Sequence, residues 1–206
     1  MHSWPHRLRS AKRLVSLLGD LPAPARRAAI GRLLETPAAR RRRLAAAVAS
    51  SPDRLIMVCH GNIMRSAFAV VYMKQLVPAV AHRVVGAGTH ATHGRLAQNS
   101  ALRVAPEFGV PLDAHRAQPL DNVTLGAGDV IVCMDRANEA NVVSRNASHA
   151  ARVFLIGDGA LNDMHDRVVI DPYARGDDAT RAAFKQIIAH THRWLAMIQQ
   201  GYLQAP

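Results

Sequence analysis

The sequence predicts an α/β protein: a four-stranded parallel sheet with helices on both faces, preceded by a helical extension. Three observations predict it. From residue 54 onward, short apolar runs alternate with segments of helical spacing. The first run, Leu55-Ile56-Met57-Val58, leads through a compact loop, Cys59 to Ser66, into a helical pattern. The charge is also uneven: residues 1–53 hold 11 Lys/Arg against 3 Asp/Glu, whereas 54–206 hold 15 against 12. That shift places a boundary near Ser50-Ser51-Pro52-Asp53, dividing a basic helical extension, 1–53, from an α/β domain, 54–206.

The extension shows helical spacing over 8–19 and 25–35, separated by Pro22 and Pro24, and again from Ala38 through Val48. Arg40 to Arg43 read as a solvated helix face, with an acidic partner, nucleic acid or a membrane surface as alternatives. No aromatics interleave with these arginines, which weakens the nucleic-acid reading.

In the second part the strands are expected at 54–58, 83–86, 129–133 and 152–155. Their Val/Ile/Leu-rich runs suit strands covered on both faces. Helices are expected at 66–77, 97–108, 136–146 and 178–199, the second stopped by Gly109 and Pro111. A loop of Gly, Thr and His spans Gly88 to Gly94, and another spans 157–177.

Composition narrows the function. Two cysteines, Cys59 and Cys133, are too few for a secreted disulfide framework and point to a reducing compartment, the cytoplasm. No apolar run reaches the roughly 18 residues of a membrane span. The Arg-rich, acid-poor amino terminus is also compatible with a transit peptide.

The chemistry concentrates at Cys59-His60-Gly61-Asn62-Ile63-Met64-Arg65-Ser66. A loop between a strand's carboxyl end and a helix's amino end gathers backbone N–H groups and a favourable dipole for an anion. A cysteine in that field is expected to ionise readily and act as a nucleophile. Arg65, six residues on, offers a planar fork for two phosphate oxygens. Gly61 allows close backbone approach, and Asn62 suits a left-handed turn. Ser66 either caps the helix or donates to the sulfur. Far downstream, Val168-Val169-Ile170-Asp171-Pro172-Tyr173 delivers an aspartate to a proline-stiffened loop, a candidate acid for the leaving group.

Taken together these segments resemble the low-molecular-weight protein tyrosine phosphatase family over about 54 to 200. The family loop V-C-x-G-N-x-C-R-S-P is matched by Val58 to Ala67, and its D-P-Y loop by Asp171-Pro172-Tyr173. Gly86-Ala87-Gly88-Thr89 resembles S-A-G-T, Asp113 to Ala117 resembles H-x-A-R, and Asp129 to Asp135 resembles D-x-I-L-x-M-D. The resemblance implies a phosphotyrosine phosphatase I-like fold with Cys59 as nucleophile, Arg65 as phosphate clamp and Asp171 as acid and base. It also implies a phosphotyrosine protein substrate, His115 and Tyr173 as supporting residues, and no metal or cofactor. Met64 replaces the loop's second cysteine, so the protective disulfide is expected to be missing. Ala67, Gly86 and Ala174 also depart from the pattern, and loss of a hydroxyl at Gly86 is expected to loosen the Asn62 network. These departures leave a phosphate-binding regulatory module as an alternative. Two related activities are disfavoured: phosphoarginine phosphatases carry threonine where Ile63 stands, and arsenate reductases need more cysteines than Cys133 supplies.

Overall fold

In a computed structural model of the chain, residues 19, 23–159 and 167–204 are described. The four expected strands form one parallel sheet: β1 Leu55–Cys59, β2 Val84–Gly88, β3 Val130–Cys133 and β4 Val153–Leu155. Their order is β2-β1-β3-β4. Cys59 pairs with Gly88 on one side, and Val58 pairs with Cys133 on the other. The chain moves outward from β1 to β2, then crosses back to β3 on the opposite side of β1. The direction of winding therefore reverses between β1 and β3, and a crevice opens beyond their carboxyl ends.

Both faces of the sheet are covered. Leu55, Met57, Val130, Val132 and Phe154 bury with α3 (Arg65–Leu76) and α6 (Gly176–Gln204). Ile56, Val58, Ile131, Cys133, Val153 and Leu155 bury with Val142 and Val143 of α5 (Arg136–Arg145). Adjacent residues of one strand thus enter opposite cores, which is why each run is apolar throughout. The few aromatics are concentrated in the first core, where Phe68 stacks on Phe184 at 3.9 Å. Trp194 donates its indole N–H to the Ile156 carbonyl at 2.8 Å.

Helix limits differ from expectation for local reasons. The segment expected as one helix over 97–108 is α4 (Asn99–Val104) followed by a 3₁₀ turn, Ala105–Phe108. Pro106 cannot donate to the helical ladder, and Gly109 ends the turn in the left-handed region at φ 71°. The last helix begins two residues early, at Gly176, with Asp177 and Asp178 in its first turn, where the dipole favours carboxylates.

The extension contributes α1 (Ala23–Leu33) and α2 (Pro37–Ala49). The helix expected over 8–19 lies outside the described residues, apart from Gly19. Thr36 caps α2 by accepting from the Ala39 N–H, with Pro37 at the first helical turn. Helix α1 lies against α5, and α2 against α6 and the turns flanking β4. Leu44, Ala47 and Val48 enter the same core as β1 and α3.

The expectation of a solvated face over Arg40 to Arg43 requires correction. Arg41 and Arg42 are exposed. Arg40 is only 4% exposed. Arg43 donates to the Val153 and Ala151 carbonyls at 2.6 and 3.1 Å and lays its guanidinium 4.1 Å from the Phe154 ring centroid. It thereby covers the open edge of β4. An arginine run cannot announce this: Glu35 is a local partner, but Glu139 and Asp158, which bury Arg40, and the β4 edge under Arg43 come from distant segments. Among the described residues no helix is long and apolar enough to cross a membrane.

Candidate active site

Cys59 is the last residue of β1, and Arg65 is the first of α3, so the loop between them turns within the crevice at the sheet's switch point. Asn62 makes that turn possible by adopting φ 51°, the left-handed region its residue type tolerates. The turn is pinned from three sides. Asn62 Nδ2 donates to Ser66 Oγ at 2.8 Å, and Gln118 N donates to Asn62 Oδ1 at 3.0 Å. His115 Nε2 donates to the Asn62 carbonyl at 2.6 Å. Burial pushes the His115 pKa below its ordinary value, against the opposing pull of that carbonyl.

The network forms without a hydroxyl at Gly86. Asn62 already has partners at both ends of its amide, and a Cβ on Gly86 would lie 3.0 Å from Asn62 Nδ2 and from Val70 Cγ2. The tightest steric demand for glycine in this region falls on Gly88, where a Cβ would meet Ala91 Cβ, Asn62 N and His60 O, each at 2.8 Å. At Gly61 a Cβ would touch only the Ile63 side chain.

Around the sulfur, Asn62 N–H donates to Cys59 Sγ at 3.2 Å, and Ser66 Oγ lies 3.0 Å away. The Ser66 hydroxyl also lies 3.3 Å from the Ala87 carbonyl. Its single proton has two acceptors, and an anionic sulfur is the stronger. Met64, rather than Ser66, holds the N-cap position of α3, with no side-chain cap bond. Ser66 therefore serves the loop. Cys133 is buried at the end of β3, and burial pushes its thiol well above the usual range. Both cysteines are free thiols.

Arg65 is 1% exposed. Burial opposes its charge, but Asp135, Asp171 and the Cys59 sulfur more than offset that, and its pKa rises above the ordinary arginine value. Nη1 donates to Asp135 Oδ2 at 2.7 Å and to the Val169 carbonyl at 2.9 Å, which uses both of its hydrogens. Nη2 lies 3.0 Å from Asp171 Oδ2 as an ion pair. Nε and Nη2 keep the donors for an incoming anion, and they form the edge of the guanidinium that binds two oxygens in parallel. Asp171 Oδ1 also accepts from the Tyr173 N–H at 3.3 Å, a local turn that sets the carboxylate's direction.

Cys59, His60, Gly61, Ile63, Met64, Arg65, Asp171 and Tyr173 line one cavity of about 310 Å³, together with His90 and Arg95. Of the sequence-predicted residues, Asn62, Ser66 and His115 stand behind this wall as supports. Sequence reasoning missed Asp135, Gln118, His90 and Arg95. Asp135 lies two residues beyond the end of β3, the neighbour of β1, so its place next to the switch point was the available signal. His60 and His90 stack with ring centroids 4.5 Å apart at the mouth. Arg95 is exposed there, and its guanidinium has no carboxylate partner among the described residues.

A family model described as low molecular weight phosphotyrosine protein phosphatase matches residues 54–203. A probable low molecular weight protein-tyrosine-phosphatase of Ralstonia nicotianae, EpsP, is 31% identical over 145 residues, which is 70% of this chain and 95% of that protein. The crystal structure of the tyrosine phosphatase AmsI from Erwinia amylovora matches with a TM-score of 0.61 at 27% identity, covering 70% of this chain and 92% of that one. The YwlE arginine phosphatase from Geobacillus stearothermophilus shares the fold, with a TM-score of 0.63 at 23% identity, covering 75% of this chain and 98% of its own.

Proposed function

This chain belongs to the low molecular weight phosphotyrosine protein phosphatase family, and on that footing we propose that it hydrolyses phosphotyrosine in proteins through a cysteinyl-phosphate. The observation that carries this reading is one cavity lined by a cysteine, an arginine with uncommitted donors and an aspartate.

The phosphate binds the Nε and Nη2 edge of Arg65 and the N–H groups at the start of α3, which have no acceptor within the helix. Cys59 attacks phosphorus as the thiolate, forming an S–P bond as the P–O bond to the tyrosine breaks. Asp171 gives its proton to the departing phenolate oxygen. Arg65 and the loop amides stabilise charge on the equatorial oxygens. Water then attacks phosphorus, its proton passes to Asp171, and the S–P bond breaks to release phosphate. The Ser66 hydroxyl and Asn62 N–H stabilise the sulfur as it leaves.

Two experiments test this. A rapidly quenched reaction is expected to yield phosphate bound to Cys59 by mass spectrometry, and no phosphorylated protein in Cys59→Ala. Asp171→Asn is expected to lower kcat/KM for phenyl phosphate by roughly 10²–10⁴-fold, the usual share of general acid catalysis. Full activity in Asp171→Asn removes the acid assignment. Vanadate binding without turnover replaces this reading with a phosphate-binding module, and a higher kcat/KM on phosphoarginine than on phosphotyrosine replaces the substrate.

A cation at the mouth supports acidic flanks on the substrate. Arg95, beside the His60–His90 stack, has no carboxylate partner among the described residues. Phosphotyrosine peptides with acidic flanks are expected to show lower KM than peptides with basic flanks, and Arg95→Glu is expected to reverse that order. An unchanged order in the variant removes Arg95 from substrate selection. The free thiols support a reducing, cytoplasmic setting. The exposed Arg41 and Arg42 support an acidic partner on the outer side of α2.

A further inference from the structure

The second buried arginine among the described residues belongs to the extension, outside the segment the family model matches. Arg40 Nη1 donates to Asp158 Oδ2 at 3.0 Å and to Glu139 Oε1 at 3.3 Å, and Nη2 donates to the Arg32 carbonyl at 3.1 Å. Nε lies 3.4 Å from Glu35 Oε2, within ion-pair range, yet makes no hydrogen bond. The two carboxylates that Arg40 hydrogen-bonds, Glu139 and Asp158, lead to different parts of the site.

Glu139 lies on α5, whose N-cap is Asp135, the partner of Arg65. This connection has its own supports. Arg136 pairs with Glu139 at 3.0 Å, and Asp135 Oδ1 accepts from the Asn138 N–H at 2.8 Å. It does not depend on Arg40 alone.

Asp158 sits in the turn after β4, where Oδ2 accepts from the Leu155 N–H at 2.8 Å. Its other oxygen, Oδ1, takes Arg167 Nε at 2.9 Å and Nη2 at 2.6 Å. Arg167 stands four residues before Asp171, and the Gly157 N–H donates to its carbonyl at 3.2 Å. Two residues on, the Val169 N–H donates to the Met134 carbonyl, and the Val169 carbonyl accepts from Arg65. The acid loop therefore leaves its anchor at Asp158 and runs past Arg65 to the catalytic carboxylate. Arg40 is the counter-ion that holds this anchor from the extension side.

We propose that Arg40 is a positioning residue for proton transfer: through Asp158 and Arg167 it fixes the loop that presents Asp171 to the leaving group. The proposal rests on the reading of Asp171 as the acid. Asp158 shares its charge between two arginines, one from α2 and one from the acid loop. With Arg40 gone, the buried Asp158 carboxylate has only Arg167 and the Leu155 N–H, and Arg167 moves to cover it. A shift of that kind displaces a carboxylate four residues on, and proton transfer tolerates little displacement.

The test separates position from mere stability by varying the leaving group. Phenyl phosphate needs a proton on its departing oxygen, and 2,4-dinitrophenyl phosphate does not. kcat/KM reports the steps up to release of the phenol. In Arg40→Met, kcat/KM for phenyl phosphate is expected to fall about 10–100-fold, with less than about a twofold change on the dinitrophenyl ester. Arg40→Lys recovers part of the loss, since it keeps the charge but cannot bridge as a fork. In an Asp171→Asn background, Arg40→Met adds no further loss on phenyl phosphate. Equal losses on both esters, or a full additional loss in that background, overturn the proposal.

Arg40→Met also uncovers two buried carboxylates. Should it fail to fold, Arg167→Met decides the matter. Its side chain is 13% exposed, and it cuts the same connection from the other end. The same leaving-group selectivity in Arg167→Met supports the proposal, and its absence overturns it. Asp171→Asn is the reference for both. If it lacks the selectivity, the acid assignment falls and this inference with it. If it shows the selectivity while Arg40→Met and Arg167→Met do not, only this inference falls.

Discussion

Arg65 and Arg40 are both almost fully buried, and each lies between carboxylates: Asp135 and Asp171 for the first, Glu139 and Asp158 for the second. Their surroundings differ in one respect. Arg65 keeps Nε and Nη2 donors beside a cavity, whereas the hydrogen bonds of Arg40 all end on carboxylates and a backbone carbonyl of the protein. Burial with acid partners therefore does not by itself mark a functional arginine. Arg40 also has a spare donor, Nε, but it is buried against Glu35 and, among the described residues, faces no cavity. What distinguishes a ligand-binding guanidinium is spare donors that open onto a cavity.

The surrounding elements follow the same division. The phosphate loop is short-range in sequence, with Cys59, Asn62 and Ser66 hydrogen-bonded across fewer than eight residues. The Arg40 cluster draws on Glu35, Glu139, Asp158, Arg136 and Arg167, spread over more than a hundred residues. One region is a motif; the other is an assembly of distant parts.

The comparison breaks most sharply if the two arginines exchange consequences. Arg65→Lys keeps a positive charge for Asp135 and Asp171 but loses the fork. It is expected to lower kcat/KM on aryl phosphates by about 10²–10³-fold, comparable to the loss of an oxyanion donor. A near-normal rate places the phosphate elsewhere. Arg40→Met is expected to cost about 3–5 kcal/mol of stability, because it leaves Glu139 and Asp158 buried without their shared counter-ion. Urea unfolding measures it, and a change within experimental error means those carboxylates find other partners.

The smallest effect concerns the support behind the loop. Burial lowers the His115 pKa in the folded state, so the unfolded chain binds more protons over the window below the ordinary histidine value of about 6.5. Stability accordingly rises with pH through that window and is lost as pH falls toward the lowered value. His115→Gln is expected to flatten this segment of the stability–pH curve. An unchanged slope assigns the dependence to another group.

Much of the molecule was legible before its structure. The strand runs, the position of Cys59 at a strand end and the stop at Gly109 were read from local pattern, and each depends on neighbours in sequence. Asn62 followed from the tolerance of its residue type for a left-handed turn. The Asp135 bond to Arg65 was not readable, because it joins residues 70 apart through a crevice that exists only once β1 and β3 pair. The partners of Asn62 were unreadable for a related reason: Ser66 and Gln118 come from different elements, and each takes one end of its amide.

By itself, the sequence determined where a nucleophile, a clamp and an anion-binding helix start would meet, since strand, loop and helix are consecutive and their geometry is fixed by backbone sterics and dipoles. The tertiary structure alone decided which charges are paired. Burial cost makes every interior charge seek a partner, and the partner is chosen by proximity in the folded chain. That is why one arginine of the Arg40 to Arg43 run lies in the interior, one covers the edge of the sheet and two face outward.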